Sequence, residues 1–173
     1  MCGIVGYIGS KDCQQLLLEG LKRLEYRGYD SAGIAILDGS TLRVAKAIGR
    51  VANLEDKIED LGGLRGHVGL AHTRWATHGG VTDVNAHPHT DDRNGIALVH
   101  NGIIENYAAL KTYLQERGHV FKSQTDTEVL AMLISELYAP HEGIDLFTAV
   151  QAALKEVTGA YAIVVISEKE PGV

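Results

Sequence analysis

The chain has 173 residues, of which 45% are hydrophobic and 22% charged, and its formal net charge is -6. This composition is typical of one globular domain, and the negative charge argues against a nucleic-acid or anionic-membrane surface. Its apolar runs are far too short to cross a bilayer and no signal peptide is recognisable, so we expect a cytoplasmic protein. Cys2 and Cys13 form no C-x-x-C pair, which disfavours a disulfide scaffold or a thiolate zinc site.

Strands and helices are predicted in alternation along the first part of the chain. The apolar run at 2–9 predicts a buried strand. A helix is predicted over 10–28, because its leucines recur on one face and because Asp12 and Gln15 have the spacing of a capping box. A hairpin at 31–37 and 41–49, joined through Asp38 and Gly39, and a helix at 51–61 follow.

The second part of the chain repeats this pattern around a long polar loop. Strands at 67–73 and 95–100 bracket the loop 75–94, and a loop of this length in a compact domain is usually functional. Thr125 and Glu128 have the spacing of a second capping box. Helices at 107–118, 127–139 and 146–157 precede a strand at 160–167. Because hairpins without crossover helices favour antiparallel sheets, we predict an α+β fold of stacked layers.

Cys2 starts the first predicted strand and is a candidate nucleophile. A residue as small as cysteine in second place usually allows removal of Met1, which would give the thiol a free α-amine on the same carbon. An N-terminal residue that supplies both nucleophile and base is a known catalytic arrangement. The alternative is a small buried hydrophobe, which is the usual role of a free cysteine, and these residues alone favour that alternative.

Two polar segments carry side chains suited to a charged small molecule. HTRWATHG, at 72–79, places four candidates at a strand end: Arg74, Trp75, Thr77 and His78. A guanidinium beside a hydroxyl can bind a carboxylate. YRGYDSAG, at 26–33, crowds Arg27 and an aspartate among glycines. Taken singly, the first segment could equally be a loop pinned by its tryptophan, and the second a glycine turn with a surface ion pair.

A third polar segment, HNGIIEN at 100–106, directly follows a predicted strand. The side-chain amide of Asn101 and the backbone N–H of Gly102 could converge on one oxygen, which is the geometry of an oxyanion hole. The alternative is a common Asn-Gly turn.

Eight histidines raise the question of a metal site. His87 and His89 are two residues apart, and His72, His78 and His100 lie near strand ends. No H-E-x-x-H motif or carboxylate cluster completes a coordination shell, however. We therefore predict no metal and expect these histidines to order the loop through hydrogen bonds.

Six segments occur in order: CGIVGYIG, LEYRGYDSAG, HTRWATHG, NAHPH, HNGIIEN and TDTEV. Together they closely resemble the glutaminase half of the glutamine:fructose-6-phosphate amidotransferases, a family of N-terminal nucleophile hydrolases, over essentially the whole chain. Tyr26 and Tyr29 flank the Arg-Gly pair, whereas amidophosphoribosyltransferases and asparagine synthetases are expected to carry His before it and Gln or Pro after it. The resemblance implies a layered αββα fold with two antiparallel sheets between helices.

The resemblance also implies a mechanism that needs no cofactor. Cys2, freed of Met1, would attack the side-chain amide of L-glutamine, and its α-amine, with an unperturbed pKa of about 7.7 to 8.0, would carry the thiol proton to the departing ammonia. Asn101 and Gly102 would stabilise the oxyanion. A γ-glutamyl thioester would then be hydrolysed to glutamate.

The same resemblance assigns the binding residues. Arg74, with Thr77 and His78 nearby, would hold the substrate α-carboxylate, and Asp126 would hold its α-ammonium. The remaining residues support them: Arg27 at the nucleophile end, Trp75 in a closing loop, and His87 and His100 behind the residues that contact substrate.

Finally, the resemblance implies a larger enzyme. We expect residues 1–173 to be a single class II glutaminase domain that lacks its last strands. The isomerase domain, which receives ammonia and makes glucosamine 6-phosphate, is absent from the sequence, and the full-length enzyme is expected to be a homodimer. Two alternatives stay open: a non-catalytic glutamine-binding or assembly module, and the glutaminase domain of another class II amidotransferase.

Overall fold

The computed structural model describes residues 2–76, 79–93 and 95–173. Within these ranges the chain forms seven strands and five α-helices. In chain order they are β1 (Gly3–Ile8), α1 (Gln14–Leu24), β2 (Ser31–Asp38), β3 (Thr41–Ile48), α2 (Val51–Asp60), β4 (Val68–Arg74), β5 (His89–Thr90), β6 (Ile96–Ile104), α3 (Tyr107–Gln115), α4 (Asp126–Leu137), α5 (Leu146–Glu156) and β7 (Gly159–Ser167). None of these described helices is long and apolar enough to cross a membrane.

The strands form two antiparallel sheets, with the orders β1-β4-β2-β3 and β5-β6-β7. In the first sheet β4 lies between β1 and β2, so that Gly3 pairs with Thr73, and Arg74 pairs with Ser31. This register brings the start of β1, the end of β4 and the start of β2 to one edge of the sheet. The residues just outside those three strand ends are therefore neighbours in space.

Hydrophobic side chains are buried in three clusters that separate four layers. Along β2, Ile34 and Ile36 pack against α1 and α2, while Ala35 and Leu37 face the second sheet. The second sheet packs against α3, α4 and α5 on its other face, where Leu98 is fully buried. The alternation follows from the two-residue period of a strand. The predicted α+β fold with helix, sheet, sheet and helix layers is confirmed.

The local predictions differ in accuracy. All five predicted helices are present, and the β2–β3 hairpin is confirmed, with Asp38 pairing with Thr41 around a positive-φ Gly39. The capping box at the start of α1 is wrong: Asp12 Oδ1 accepts from the N–H of Gln14, and the Gln15 side chain instead donates to a glutamate one turn ahead. The predicted loop 75–94 also contains the short strand β5, which pairs with β6.

The start of α4 shows half of the predicted capping box. Thr125 Oγ1 accepts from the N–H of Glu128 at 3.4 Å, as predicted. The buried Glu128 carboxylate does not reach back to Thr125; it accepts instead from the N–H groups of Lys122 and Ser123, at 3.0 and 2.7 Å. A carboxylate therefore holds the segment before α4 in place.

The strand β6 is longer than predicted. It runs through Ile104, so Asn101 and Gly102 pair with Ala162 and Tyr161 of β7 instead of forming a turn. Gly102 has a φ of 130°, and a Cβ there would overlap the carbonyl oxygen of Ala160. Only glycine fits both constraints. The Asn-Gly turn is thus corrected to a strand with one glycine-specific residue.

Candidate active site

Cys2 lies directly before β1, where three strand ends of the first sheet meet. Because Gly3 pairs with Thr73, Cys2 lies across from Arg74 and next to Trp75, which follows β4. The backbone N–H of Trp75 donates to Cys2 Sγ at 3.2 Å. This bond positions a half-buried thiol at the edge of the sheet.

Hydrogen-bond donors of β6, in the facing sheet, lie beside Cys2. Asn101 Nδ2 donates to the carbonyl oxygen of Cys2 at 3.2 Å, and Gly102 is the next residue. An amide nitrogen carries two protons, so one remains for a substrate oxygen. A side-chain amide and a backbone N–H beside a nucleophile have the composition of an oxyanion hole.

Cys2, Trp75 and Gly102 line two neighbouring cavities. The inner cavity, of about 30 Å³, is further lined by His72, Arg74, His87, His100, Thr125, Asp126 and Thr127. The outer cleft, of about 580 Å³, is further lined by Arg27, Asn101, Ile103, Ala160, Tyr161 and Ala162. A volume of 30 Å³ holds water but no whole amino acid, so a bound amino acid needs more space than the inner cavity provides. Trp75 is an exposed large side chain that lines this cavity.

Two opposite charges face the inner cavity. Arg74, 4% exposed, is the last residue of β4, and its Nη1 donates to the Gly80 carbonyl at 3.2 Å. Asp126, 5% exposed, is the first residue of α4, where the helix N-terminus favours an anion. Its Oδ2 accepts from the N–H of Ile104 at 2.9 Å. A buried cation and a buried anion on one small cavity match the two ends of an amino acid.

Three buried histidine rings pack against one another at the site. The rings of His72 and His87 stack at 4.1 Å between centroids, and His89 meets His87 edge-on at 5.0 Å. Burial lowers the pKa of His72 to about 4 and the pKa values of His87 and His89 well below 6.5. All three rings are therefore neutral at neutral pH.

Hydroxyl groups of α4 and its N-cap lie within hydrogen-bonding distance of three buried histidine rings, those of His87, His89 and His100. Thr127 Oγ1 lies 2.9 Å from His100 Nδ1 and 3.3 Å from His87 Nε2, and Thr125 Oγ1 lies 3.0 Å from His89 Nε2. The histidines thus tie the long loop to α4 through hydrogen bonds. In the described ranges no three His, Cys, Asp or Glu side chains are grouped to hold a metal ion.

The segment YRGYDSAG packs against the end of β4. Asp30 accepts a hydrogen bond from the N–H of Ala76, and its own N–H donates to the Arg74 carbonyl at 3.2 Å. The ring of Tyr29 meets Trp75 edge-on at 5.6 Å. These contacts hold the backbone that carries both Arg74 and Trp75, so this segment positions the site.

The structure brings most of the predicted site residues together. Seven of them line the inner cavity: Cys2, Arg74, Trp75, His87, His100, Gly102 and Asp126. Arg27 and Asn101 line the outer cleft, on the other side of Cys2. Thr77, His78 and Met1 lie outside the described residues, so their predicted roles stay predictions.

Further residues contribute to this site that were not assigned to it from the sequence, among them His72, Thr127 and Asp30. His72 was expected to order the long loop through hydrogen bonds, but it also shares one face of β4 with Arg74, two residues ahead, and this spacing was an available signal. Thr127 follows Asp126 and lines the same cavity. Asp30 acts on the site through hydrogen bonds to the backbone of Arg74 and Ala76, 44 and 46 positions away, which no local pattern reveals.

Comparison with known proteins defines the class. Residues 72–173 match the family model described as the glutamine amidotransferase domain. This match covers more than half of the chain, and the chain therefore belongs to the glutamine amidotransferase domain family.

Curated relatives narrow the comparison to one kind of enzyme. The chain is 53% identical over 171 residues to the glutamine–fructose-6-phosphate aminotransferase (isomerizing) of Clostridium acetobutylicum, which covers 99% of this chain and 27% of the relative. The equally named protein of Bacteroides thetaiotaomicron is 55% identical over 172 residues, covering 99% and 28%. The chain thus spans about 27% of the length of such relatives.

Solved structures share the fold. The glutamine phosphoribosylpyrophosphate amidotransferase of B. subtilis superposes with a TM-score of 0.80 at 31% identity, over 96% of this chain and 35% of that one. A glutamine aminotransferase class-II domain protein from Silicibacter pomeroyi gives a TM-score of 0.62 at 16% identity, over 97% and 73%, and supports the fold alone. The two antiparallel sheets between helices are those of the class II, N-terminal nucleophile amidotransferases.

Proposed function

We propose that this domain hydrolyses the side-chain amide of L-glutamine, with Cys2 as nucleophile. One observation carries the proposal: Cys2 and Gly102 line the same inner cavity as Arg74 and Asp126, and Asn101 donates to the Cys2 carbonyl. A thiol with neighbouring hydrogen-bond donors suits attack on an amide. The charges of Arg74 and Asp126 suit the α-carboxylate and the α-ammonium of the substrate. Two opposite charges would exclude simple amides.

The proposed chemistry proceeds in two steps. Removal of Met1 gives Cys2 a free α-amine, which takes the thiol proton as Sγ attacks the side-chain carbonyl carbon of glutamine. Asn101 and Gly102 stabilise the oxyanion, a role worth about 3 kcal/mol per donor in comparable sites. The C–N bond breaks as the amine returns its proton to the leaving ammonia, and water then cleaves the γ-glutamyl thioester to glutamate.

The remaining predicted residues have supporting roles in this proposal. Thr77 and His78 follow Arg74 closely in the chain and would join it at the α-carboxylate. Arg27 would support the nucleophile end from the outer cleft, and movement of Trp75 would open the inner cavity to the substrate. His87 and His100 would lie behind the residues that contact the substrate and hold them in place.

The names of the curated relatives extend the proposal to the whole enzyme. The ammonia would pass to a sugar-phosphate isomerase domain, which converts fructose 6-phosphate to glucosamine 6-phosphate, and residues 1–173 would be its glutaminase domain. A homodimer and a cytoplasmic location are predictions of the same proposal.

The experiment combines intact mass, covalent labelling and turnover. We expect the protein to lack Met1, to take up one equivalent of a glutamine-like diazoketone on Cys2, and to release ammonia from glutamine. The Cys2→Ala variant should lose both labelling and turnover while keeping its circular dichroism spectrum. Unchanged glutamine hydrolysis in that variant would refute the mechanism, and glutamine binding without turnover in the wild type would identify a binding module instead.

Cys13 provides the matched control. It is fully buried in the cluster between α1 and the first sheet, and burial raises its pKa to about 11, so that it stays a thiol. Cys13→Ala should therefore retain both the single label and the turnover. A label found on Cys13 in the wild type would contradict the assignment of Cys2.

A further inference from the structure

The orientation of the Asn101 side chain decides whether it can act as a donor. The amide has a donor end and an acceptor end of nearly equal shape, and only the nitrogen can stabilise an oxyanion. Here Nδ2 faces the Cys2 carbonyl at 3.2 Å, while Oδ1 faces His72. The orientation of the Asn101 amide therefore depends on whether His72 offers Oδ1 a hydrogen-bond donor or an acceptor.

The ring of His72 presents a proton to Oδ1. Its Nε2 lies 2.9 Å from Asn101 Oδ1 and 3.2 Å from the carbonyl oxygen of His100. Both atoms are acceptors, so Nε2 must carry the hydrogen. Among the described residues, His72 Nδ1 has no hydrogen-bond partner, as expected for the bare nitrogen of this tautomer.

Burial keeps His72 in this one form. The side chain is 1% exposed and stacks on the neutral His87, and desolvation lowers its pKa to about 4. A neutral ring has one proton, and the two acceptors hold it at Nε2. His72 is therefore a fixed donor throughout the neutral pH range.

We propose that His72 is a positioning residue that locks the Asn101 amide with its nitrogen toward the nucleophile. Flipping the amide would set its N–H₂ against the His72 N–H and its oxygen against the Cys2 carbonyl, which creates two repulsive contacts. This proposal rests on the proposed glutamine hydrolysis, in which Asn101 donates to the oxyanion.

The kinetic test replaces the donor and then restores it. His72→Leu removes the N–H, and we expect kcat to fall about 10- to 100-fold with little change in KM, because a donor displaced by about 1 Å costs up to about 100-fold. His72→Gln places an amide N–H near the former Nε2, and its kcat should lie closer to the wild type. Equal losses in both variants, or a rise in KM alone, would overturn the positioning role.

A double-mutant cycle tests whether His72 acts through Asn101. In an Asn101→Ala background His72→Leu should cause no further loss of kcat, because the amide it positions is gone. Losses that multiply in the double variant would overturn the proposal. His119→Gln is the matched control, since it replaces a buried ring whose Nε2 lies 2.9 Å from Glu136 Oε2, outside both cavities of the site; it should keep kcat near that of the wild type.

A spectroscopic test needs no turnover and so separates this proposal from the proposed function. Nitrogen-15 NMR of the wild-type imidazoles should show His72 protonated at Nε2, bare at Nδ1 and not titrating between pH 5 and 8. A proton on Nδ1, or titration near neutral pH, would overturn the lock even if glutamine is hydrolysed. Failure of glutamine hydrolysis with the predicted spectrum would refute only the proposed function.

Discussion

Asp126 shows how one residue can combine a structural and a binding role. Its Oδ2 accepts from the N–H of Ile104, and Asp126 also lines the inner cavity, as Arg74 does. Burial makes such a charge costly unless a partner compensates it. A substrate ammonium would provide that compensation, so Asp126 is expected to act in binding more than in chemistry.

We predict that Asp126→Asn raises KM for glutamine about 10-fold or more and lowers kcat much less. The amide oxygen can still accept from Ile104, but the charge that attracts the ammonium is lost, and hydrogen bonds to charged groups are worth about 1.5 to 3 kcal/mol. Steady-state kinetics would measure both constants. A large fall in kcat with KM unchanged would contradict the binding role.

Asp145 offers a matched control for this substitution. It is the N-cap of α5 and accepts from the N–H of Thr148 at 2.8 Å, outside both cavities of the site. Asparagine caps a helix as well as aspartate does. Asp145→Asn should therefore leave both KM and kcat unchanged.

At the scale of elements, the conformation of β6 is constrained by the two strands that it pairs with. It pairs with β5 on one side and β7 on the other, while Asn101 and Gly102 in its second half reach the site. The positive φ of Gly102 lets the strand continue where an L-residue would collide with Ala160. A sheet strand can thus present a backbone N–H and a side-chain amide together without a turn.

We predict that Gly102→Ala destabilises the fold by about 3 kcal/mol or more, because strained backbone and overpacking each cost about 1 to 3 kcal/mol. For a domain of this size that corresponds to a fall in Tm of about 10 °C. Thermal unfolding followed by circular dichroism would measure it.

Gly95 provides the control for this loss. It lies just before β6, and a Cβ there would meet no atom within 4 Å. Gly95→Ala should change the stability by less than about 0.5 kcal/mol. Equal losses at the two glycines would show that the close approach of β7 is not the cause.

At the scale of the whole molecule, three neutral histidines are enclosed where the two sheets, the long loop and α4 meet. The pKa of His72 is lowered to about 4, and those of His87 and His89 well below 6.5, by burial. In the unfolded chain the same rings titrate near 6.5. Below that pH the unfolded state binds more protons than the folded state, so acid favours unfolding.

We predict that the free energy of unfolding is constant with respect to these groups above pH 6.5 and falls as the pH drops from 6.5 toward 4. Each ring contributes a slope of about 1.4 kcal/mol per pH unit, or up to about 4 kcal/mol per unit for the three. Urea unfolding at a series of pH values would give the slope.

Two variants assign this slope to the buried rings. His89→Gln should remove about one third of it, because one ring no longer titrates on unfolding. Gln115 is exposed and carries no titratable group, and Gln115→Ala should leave the slope unchanged. A slope unaffected by His89→Gln would show that other groups cause the acid sensitivity.

The sequence by itself determined the elements and the family. Hydrophobic periodicity located the helices and most strands, because burial of one face depends on local spacing. The order of six polar segments indicated the glutaminase family, since each segment carries chemistry that is visible in its own residues. The same resemblance implied that the opposite charges of Arg74 and Asp126 bind the substrate.

Only the tertiary structure decided how those groups are held. Whether Asn101 lies in a turn or a strand depends on β7, and whether its nitrogen faces Cys2 depends on His72, which is 29 positions away. The Glu128 carboxylate accepts from the N–H groups of Lys122 and Ser123, and not from that of Thr125 as the capping box predicted. Propensity describes interactions between near neighbours along the chain, whereas the orientation of a buried polar group is fixed by whichever partners the fold brings within hydrogen-bonding distance.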